Sequence, residues 1–319
     1  MFETTITKLL NIKYPIIQGG LQGLGTSPLV SAVSNAGGLG LITAGSYDSP
    51  TEFLQDIEKT RQMTSNPFGV NIAIGIRQPM EVYVEAALAA KVPIIFTSGA
   101  NPEKFVPAFK ENGVKWVHVV PSIRFAKKAE AMGADAIVMV GYECGGHPGR
   151  EEVTSLTLVQ KAVRELGIPV IAAGGFSTGR SLLAALSLGA GAVQMGTRFL
   201  ATQEVALHPD IKSRLPELTE NDTVIVKRSL GKPARVMKSE TSMRVAEMEW
   251  KGATFEEIFP YLRGEAYQDL LQSGDVSKGV IALGQTIGLI DDIPTVAEVI
   301  ENILSEAKET YEGLSGVFR

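Results

Sequence analysis

The 319-residue chain has one cysteine, three histidines and two tryptophans, and each shortage removes a class of function. A single Cys144 excludes an internal disulfide and a thiolate zinc cage, and so sparing a use of cysteine points to a reducing compartment, the cytoplasm. Charge of neither sign dominates: Lys+Arg 30 against Asp+Glu 35 leaves a formal net charge of -5. No basic block is interleaved with aromatics, so nucleic acid is not an expected partner. No run of about 18 apolar residues exists, and the opening MFETTITKLLNIKYP lacks the apolar core of a secretion signal. Neither a membrane span nor export is expected. With no two histidines at a chelating spacing, a metal site is not expected either.

What the chain does have is glycine, 33 residues of it, much of it at the ends of apolar runs. Those runs recur every 20 to 35 residues or so, at 14–18, 39–43, 68–72, 92–96, 114–120, 136–140, 168–173 and 191–195. Each is too continuously apolar for a half-exposed antiparallel strand and fits one buried on both sides. Helical patterns separate them: Ser27 to Asn35, Thr51 to Ser65, Met80 to Ala90, Pro102 to Asn112, Ile123 to Met132, Thr154 to Leu166 and Gly179 to Leu188. Eight strands alternating with helices predict an α/β fold, a (β/α)8 TIM barrel. A doubly wound sheet also alternates, but QGGLQGLG after the first strand has no acidic residue ending the second, where LGLITAG stands, as a dinucleotide fold requires.

After Phe199 the pattern changes. Residues 206–275 mix charged and aromatic residues and read as helices joined by turns, with candidates at Glu240 to Trp250, Thr254 to Phe259 and Ala266 to Ser273. This predicts a small, mainly helical insertion after the last barrel strand, set over the C-terminal face where barrel sites open. Residues 1–205 and 276–319 would then form the barrel, closed by an amphipathic helix from Thr295 to about Tyr311.

Two glycine turns, Gly174-Gly175 and Gly196-Thr197, end the last two strands. Such tandem turns build the phosphate cup of many barrels, the donors being backbone N–H groups, the Thr197 hydroxyl and a helix N-terminus near Thr178. Gly19-Gly20 at the first strand end clears room for a planar ring. Asn71 and Gln194 offer amides at two other strand ends, although an Asx turn would equally explain Asn71. Of the histidines, His118 inside the fifth run reads as structural and His208 in ALHPDIK as a solvated residue or helix cap. His147 stands apart: in GYECGGHPGREEVTS it follows the sixth strand and is flanked by Gly145, Gly146 and Gly149, which points to proton transfer or substrate contact. Cup, ring platform and histidine together suggest flavin mononucleotide, FMN. A phosphate-binding isomerase or aldolase is the competing reading, though it would call for a lysine or carboxylate at these strand ends.

The motifs PIIQGG, AVSNAGGLG, FGVNI, ECGGHPG, PVIAAGGF, AVQMGTRF and GQTIGLI resemble, in order, those of the flavin-dependent family that contains nitronate monooxygenases and the flavin-type enoyl-acyl-carrier-protein reductase. The resemblance runs from Tyr14 to about Phe199 and resumes from Gly284 to Ile300. It implies an FMN-bearing barrel with Gly19, Gly20, Asn71, Gly146, Gly174, Gly175, Gly196 and Thr197 near the cofactor, Gln285 approaching it, and His147 on the substrate side as the catalytic residue. In nitronate oxidation, the reading the breadth of the family favours, an alkyl nitronate and dioxygen give a carbonyl compound and nitrite. The alternative takes NAD(P)H and an acyl thioester, whose acidic carrier would want a basic mouth. Lys227, Arg228, Lys232, Arg235 and Lys238 offer such a cluster, or simply a solvated face. A homodimer is compatible with either activity.

Overall fold

The computed structural model describes residues 2–75 and 80–317. Its centre is a ring of eight parallel strands: β1 (Ile16–Gln18), β2 (Gly40–Thr43), β3 (Phe68–Ile74), β4 (Ile94–Gly99), β5 (Lys115–Val120), β6 (Ala136–Val140), β7 (Val170–Ala173) and β8 (Ala192–Met195). Each pairs with its neighbour in sequence, and β1 pairs with β8. The seam between β1 and β2 closes through a parallel bridge from Ile17 to Leu39. There the Gln18 N–H donates to the Leu39 carbonyl at 2.9 Å and the Leu39 N–H to the Ile16 carbonyl at 3.0 Å. The molecule is therefore a (β/α)8 barrel, as the apolar periodicity predicts.

Strand alternation divides the apolar residues into two cores. Ile17, Leu41, Phe96, Val117, Val138, Ile171 and Ala192 fill the barrel interior. A short helix α1 (Thr5–Leu10) plugs the N-terminal end with Ile6 and Leu10. The opposite faces of the strands pack beneath α2 (Ser27–Asn35), α3 (Pro50–Met63), α4 (Glu81–Ala89), α5 (Val106–Glu111), α6 (Ile123–Met132), α7 (Ser155–Glu165) and α8 (Gly179–Ser187). The boundaries follow local chemistry. The Ser49 hydroxyl caps α3, Thr178 and Ser181 form a capping box on α8, and Gly133 ends α6 at φ 95°, a left-handed conformation natural to glycine.

Beyond β8 come two single-turn helices, α9 (Thr197–Leu200) and α10 (Pro209–Lys212), and then α11 (Glu240–Trp250), α12 (Phe255–Leu262), α13 (Gly264–Ser273) and α14 (Val296–Ser315). The last packs between α8 and α2 and completes the outer ring. Helix α12 runs on through Pro260, past the Phe259 end that the proline suggests. At the sixth of eight positions the proline removes one i→i−4 hydrogen bond, and the helix ends two residues later. Helices and turns alone do not describe the insertion. β9 (Thr223–Val226) and β10 (Ala234–Met237) pair as an antiparallel ribbon, carried by the short runs TVIV and ARVM. The ribbon and α11–α12 enclose a separate small core of Val226, Ala234, Val236, Val245 and Ile258.

Candidate active site

At the C-terminal end of the barrel the structure brings together the residues that the sequence scatters over some 270 positions. Asn71 lies on the inner face of β3, since Val70 and Ile72 turn to the outer core. Gly20 faces it so closely that a Cβ there would stand 2.4 Å from Asn71 Oδ1. A Cβ on Gly19 would stand 3.1 Å from Gln194 Nε2. Glycines 19 and 20 thus let β1 pass two inward-pointing amides without displacing them. Gln194 Oε1 is buried with no hydrogen-bond partner, a costly arrangement that a ligand donor would relieve.

The turn after β7 runs through Gly174 and Gly175 at φ 82° and 84°, which only glycine adopts freely. A Cβ on Gly174 would come within 2.7 Å of the Gly141 carbonyl. The α8 N-terminus, expected to add donors, has its own partners. Gly179 N–H donates to Glu306 of α14 at 2.6 Å, and the N–H groups of Ser177 and Thr178 both donate to Ser181 Oγ at 3.0 Å. Donors for a phosphate are left to the glycine turn and to Ser177, whose buried hydroxyl has no partner. Ser177 is the residue that sequence reasoning missed; its position just before the Thr178 cap in GGFSTG was the available signal. Thr197 Oγ1 accepts from Gly284 N–H at 2.9 Å, which leaves its hydroxyl proton to donate. Two unmatched polar atoms, a glycine-lined slot between amides and a left-handed glycine turn fit a flat heterocycle bearing one phosphate. An FMN would be held by Gly19, Gly20, Asn71 and Gln194 around the ring and by Gly174, Gly175, Ser177, Gly196 and Thr197 around the phosphate.

The loop after β6 forms the opposite wall. Gly146, at φ 80°, exchanges two backbone hydrogen bonds with Arg235 of β10, at 3.0 and 2.6 Å. Gly145 abuts Gly284, and Gln285 N–H donates to the Glu143 carbonyl at 3.0 Å, so Gln285 joins this wall. Glu143 is committed to α7, accepting from Ser155 N–H and from its hydroxyl at 2.8 Å. Although Cys144 retains some accessible surface, its thiol is enclosed, and burial pushes it up to about 12. It is no nucleophile at neutral pH.

His147 extends beyond this wall. The residue keeps accessible surface although protein atoms crowd around its ring. That crowding, and then the charges of Lys227 and Lys232, push its pKa down to about 4. Lys227 Nζ lies 3.1 Å from His147 Nε2. A neutral imidazole must accept here, because the ammonium has only protons to offer. The other two histidines serve the fold. His118 Nδ1 lies 2.8 Å from Thr97 Oγ1, which also accepts from Trp116 Nε1 at 2.7 Å, and burial lowers its pKa to about 4. His208 Nδ1 caps α10 through Asp210 N–H at 3.3 Å.

The basic cluster proves to be mixed. Arg235 is buried, its guanidinium donating to the Tyr142 carbonyl at 3.1 Å and to Thr223 Oγ1 at 3.1 Å. Arg228 pairs with Glu152. Lys227 and Lys232 bear on His147, the Arg150 guanidinium lies against Gly231, and Lys238 is exposed farther along the ribbon. Across the mouth, the Tyr267 hydroxyl of α13 donates to the Gln22 carbonyl at 2.6 Å. The insertion is thereby fastened to both the first and the sixth loops. Arg235→Leu removes one of these fastenings and leaves the Tyr142 carbonyl unmatched. Urea unfolding should show a loss of about 1.5–3 kcal/mol; a shift below about 0.5 kcal/mol would mean that the fastening carries no weight.

Among the described residues no group of acidic, histidine or cysteine side chains could hold a metal, and no helix is long and apolar enough to cross a membrane. The nitronate monooxygenase family model matches residues 3–306. FabK of Thermotoga maritima is 41% identical, with a TM-score of 0.93 and 100% of each chain covered. A (3aS,4S,5R,7aS)-5-hydroxy-7a-methyl-1-oxo-octahydro-1H-indene-4-carboxyl-CoA dehydrogenase of Mycobacterium tuberculosis is 32% identical over 96% of each chain. A probable nitronate monooxygenase of Staphylococcus aureus is 35% identical over 73% of this chain and 78% of its own. Barrel, glycine turns and histidine loop agree with that kinship, and the chain belongs to the nitronate monooxygenase family of oxidoreductases.

Proposed function

We propose that this oxidoreductase is an FMN-dependent reductase of enoyl thioesters driven by NADH or NADPH, with residues 206–275 as its lid. The observation that carries the reading is the pair of cations that bear on His147: Lys227, 3.1 Å from its Nε2, and Lys232, with the Arg150 guanidinium on the same ribbon tip at Gly231. An enoyl thioester develops negative charge on its carbonyl oxygen as the β-carbon is reduced, and positive groups there lower the barrier. Its phosphate-bearing arm, and that of a pyridine nucleotide, would occupy the remaining cations. Likeness over the whole chain to FabK, and to a dehydrogenase whose name carries a CoA ester, supports the same reading.

When bound, FMN would accept electrons from the pyridine nucleotide and pass them to the substrate as a hydride equivalent. The chain's own part is to hold the ring against Gly19, Gly20, Asn71 and Gln194, to fix the phosphate at the two glycine turns, and to place His147 over the reacting carbon. The lid tie at Tyr267 would help to exclude water.

Nitronate oxidation is the second reading, favoured by the Staphylococcus relatives and the family model. A small alkyl nitronate is a single anion and would use Lys227 while leaving Lys232 idle. Anaerobic stopped-flow absorbance separates the two. Flavin bleaching by NADH or NADPH, followed by reoxidation with crotonyl-CoA, is the expected result. Bleaching by nitronate alone would overturn it in favour of nitronate oxidation.

A further inference from the structure

Lys227 occupies a conformation that a lysine adopts only under constraint. At φ 62° it is one of four described non-glycine residues in the left-handed region, which costs about 1–3 kcal/mol unless the surroundings compel it. Here they do. Glu249 of α11 accepts from Lys227 N–H at 2.6 Å, from Ser229 N–H at 3.0 Å and from the Ser229 hydroxyl at 2.6 Å. The Lys227 carbonyl accepts from Lys232 N–H at 3.2 Å. Arg228 is anchored to Glu152, and the ribbon base is joined to Gly146, next to His147. All of this fixes the ribbon tip so that one ammonium meets one imidazole nitrogen.

We propose that Lys227 is the proton source of this site and feeds His147 at Nε2, while the imidazole gives its Nδ1 proton to the substrate. The step balances. Hydride addition to the β-carbon of an enoyl thioester leaves an enolate, and the Nδ1–H bond breaks as a Cα–H bond forms. A Lys227 N–H bond breaks as Nε2 takes its proton, leaving a neutral amine. Afterwards Nδ1 takes a proton from water, which leaves as hydroxide, while the Nε2–H bond breaks and its proton returns to the amine, so the ammonium and the Nδ1–H tautomer are both restored. The charged groups around the pair are Lys232 on the same ribbon, Glu249 on α11, Arg150 and the Glu152–Arg228 pair. Burial and Lys232 hold the Lys227 pKa below that of an ordinary lysine, which makes it a readier donor. The relay rests on the reductase reading for its substrate, but the hydrogen bond it requires does not.

The test compares wild-type, Lys227→Met and Lys227→Arg proteins. Nitrogen NMR of histidine-labelled protein reports the His147 tautomer without turnover. Wild type and Lys227→Arg should hold the proton on Nδ1, and Lys227→Met should lose that preference. Photoreduced flavin is then mixed with crotonyl-CoA, with circular dichroism and the flavin absorbance spectrum as controls for fold and flavin placement. An enolate left unprotonated returns its hydride, so net reoxidation by crotonyl-CoA should fall at least about tenfold in Lys227→Met, with both spectra unchanged. Lys227→Arg should stay slow despite the correct tautomer, because a guanidinium keeps its proton. Full activity in Lys227→Arg, or an unchanged tautomer in Lys227→Met, would overturn the relay. If crotonyl-CoA fails to reoxidise even the wild type, the reductase reading falls, and the tautomer measurement alone decides whether Lys227 serves His147.

Discussion

Replacing His147 with alanine should leave FMN bound and slow the substrate-linked half-reaction by about 10²–10⁴, the usual worth of a positioned acid or base. Both parts follow from the contacts of the side chain: His147 pairs with Lys227 of the ribbon, and none of the contacts around the Gly174–Gly175 turn involves it. Single-turnover absorbance measures the rate, and flavin fluorescence on dilution measures retention. A rate within twofold of wild type would remove His147 from the mechanism. The low pKa adds a condition with a definite sign. A group held near pH 4 stays neutral from pH 8 down to about 5, so the wild-type rate should not decline across that range on its account. As the pH drops towards 4 the imidazole takes a charge, Nε2 can no longer accept from Lys227, and the dependence of the rate on Lys227 should be lost. A decline centred near pH 6.5 would mean that His147 titrates as an ordinary histidine.

The second large effect concerns the cup. Gly175→Leu puts a side chain at φ 84°, with its Cβ 3.3 Å from Ser155 Oγ and beside the Glu143 carboxylate. Left-handed strain alone costs about 1–2 kcal/mol, and the turn must move to relieve it. Each charged hydrogen bond lost from a phosphate is worth about 1.5–3 kcal/mol, so FMN affinity should fall by about 10- to 100-fold per bond. The purified protein should be nearly colourless while its circular dichroism stays native. A fully yellow Gly175→Leu protein would place the phosphate elsewhere.

The two variants separate the functions of the site. Gly175→Leu should lose cofactor and therefore every half-reaction, whereas His147→Ala should keep cofactor and its reaction with dioxygen. If both behaved alike, the histidine would belong to the flavin site and not to the substrate side.

Strand-by-strand periodicity sufficed for the barrel because a parallel strand buried on both faces has no alternative to a continuous apolar run. Runs such as 136–140 coincide with their strand, and others differ by one to three residues at the ends. The first glycine turn was legible for a similar reason: φ near 80° at Gly174 and Gly175, with the Gly141 backbone within 3 Å of a Cβ on Gly174, leaves one residue type to choose from, whereas Gly196, at φ -105°, is under no such constraint. The candidate site was legible as far as its residues came from strand ends, whose inward or outward direction follows from parity. Asn71 and Gln194 were read as amides at strand ends; Asn71 in fact stands mid-strand in β3, which runs on to Ile74, and the candidate Ser177 was missed because an unmatched hydroxyl becomes visible only when its surroundings are known.

Composition and local pattern thus determined the barrel, its closing helix, the glycine turns and the histidine loop, all of which depend on neighbours a few residues apart. Tertiary structure alone decided which charges face the reaction. Five basic residues within 227–238 look equivalent along the chain. Burial and pairing turn Arg235 into a fastening, Arg228 into an ion pair and Lys227 into the partner of a histidine 80 positions earlier. The reason is physical: backbone preferences act between neighbours, whereas hydrogen bonds and charge act through space, and only the folded chain sets those distances.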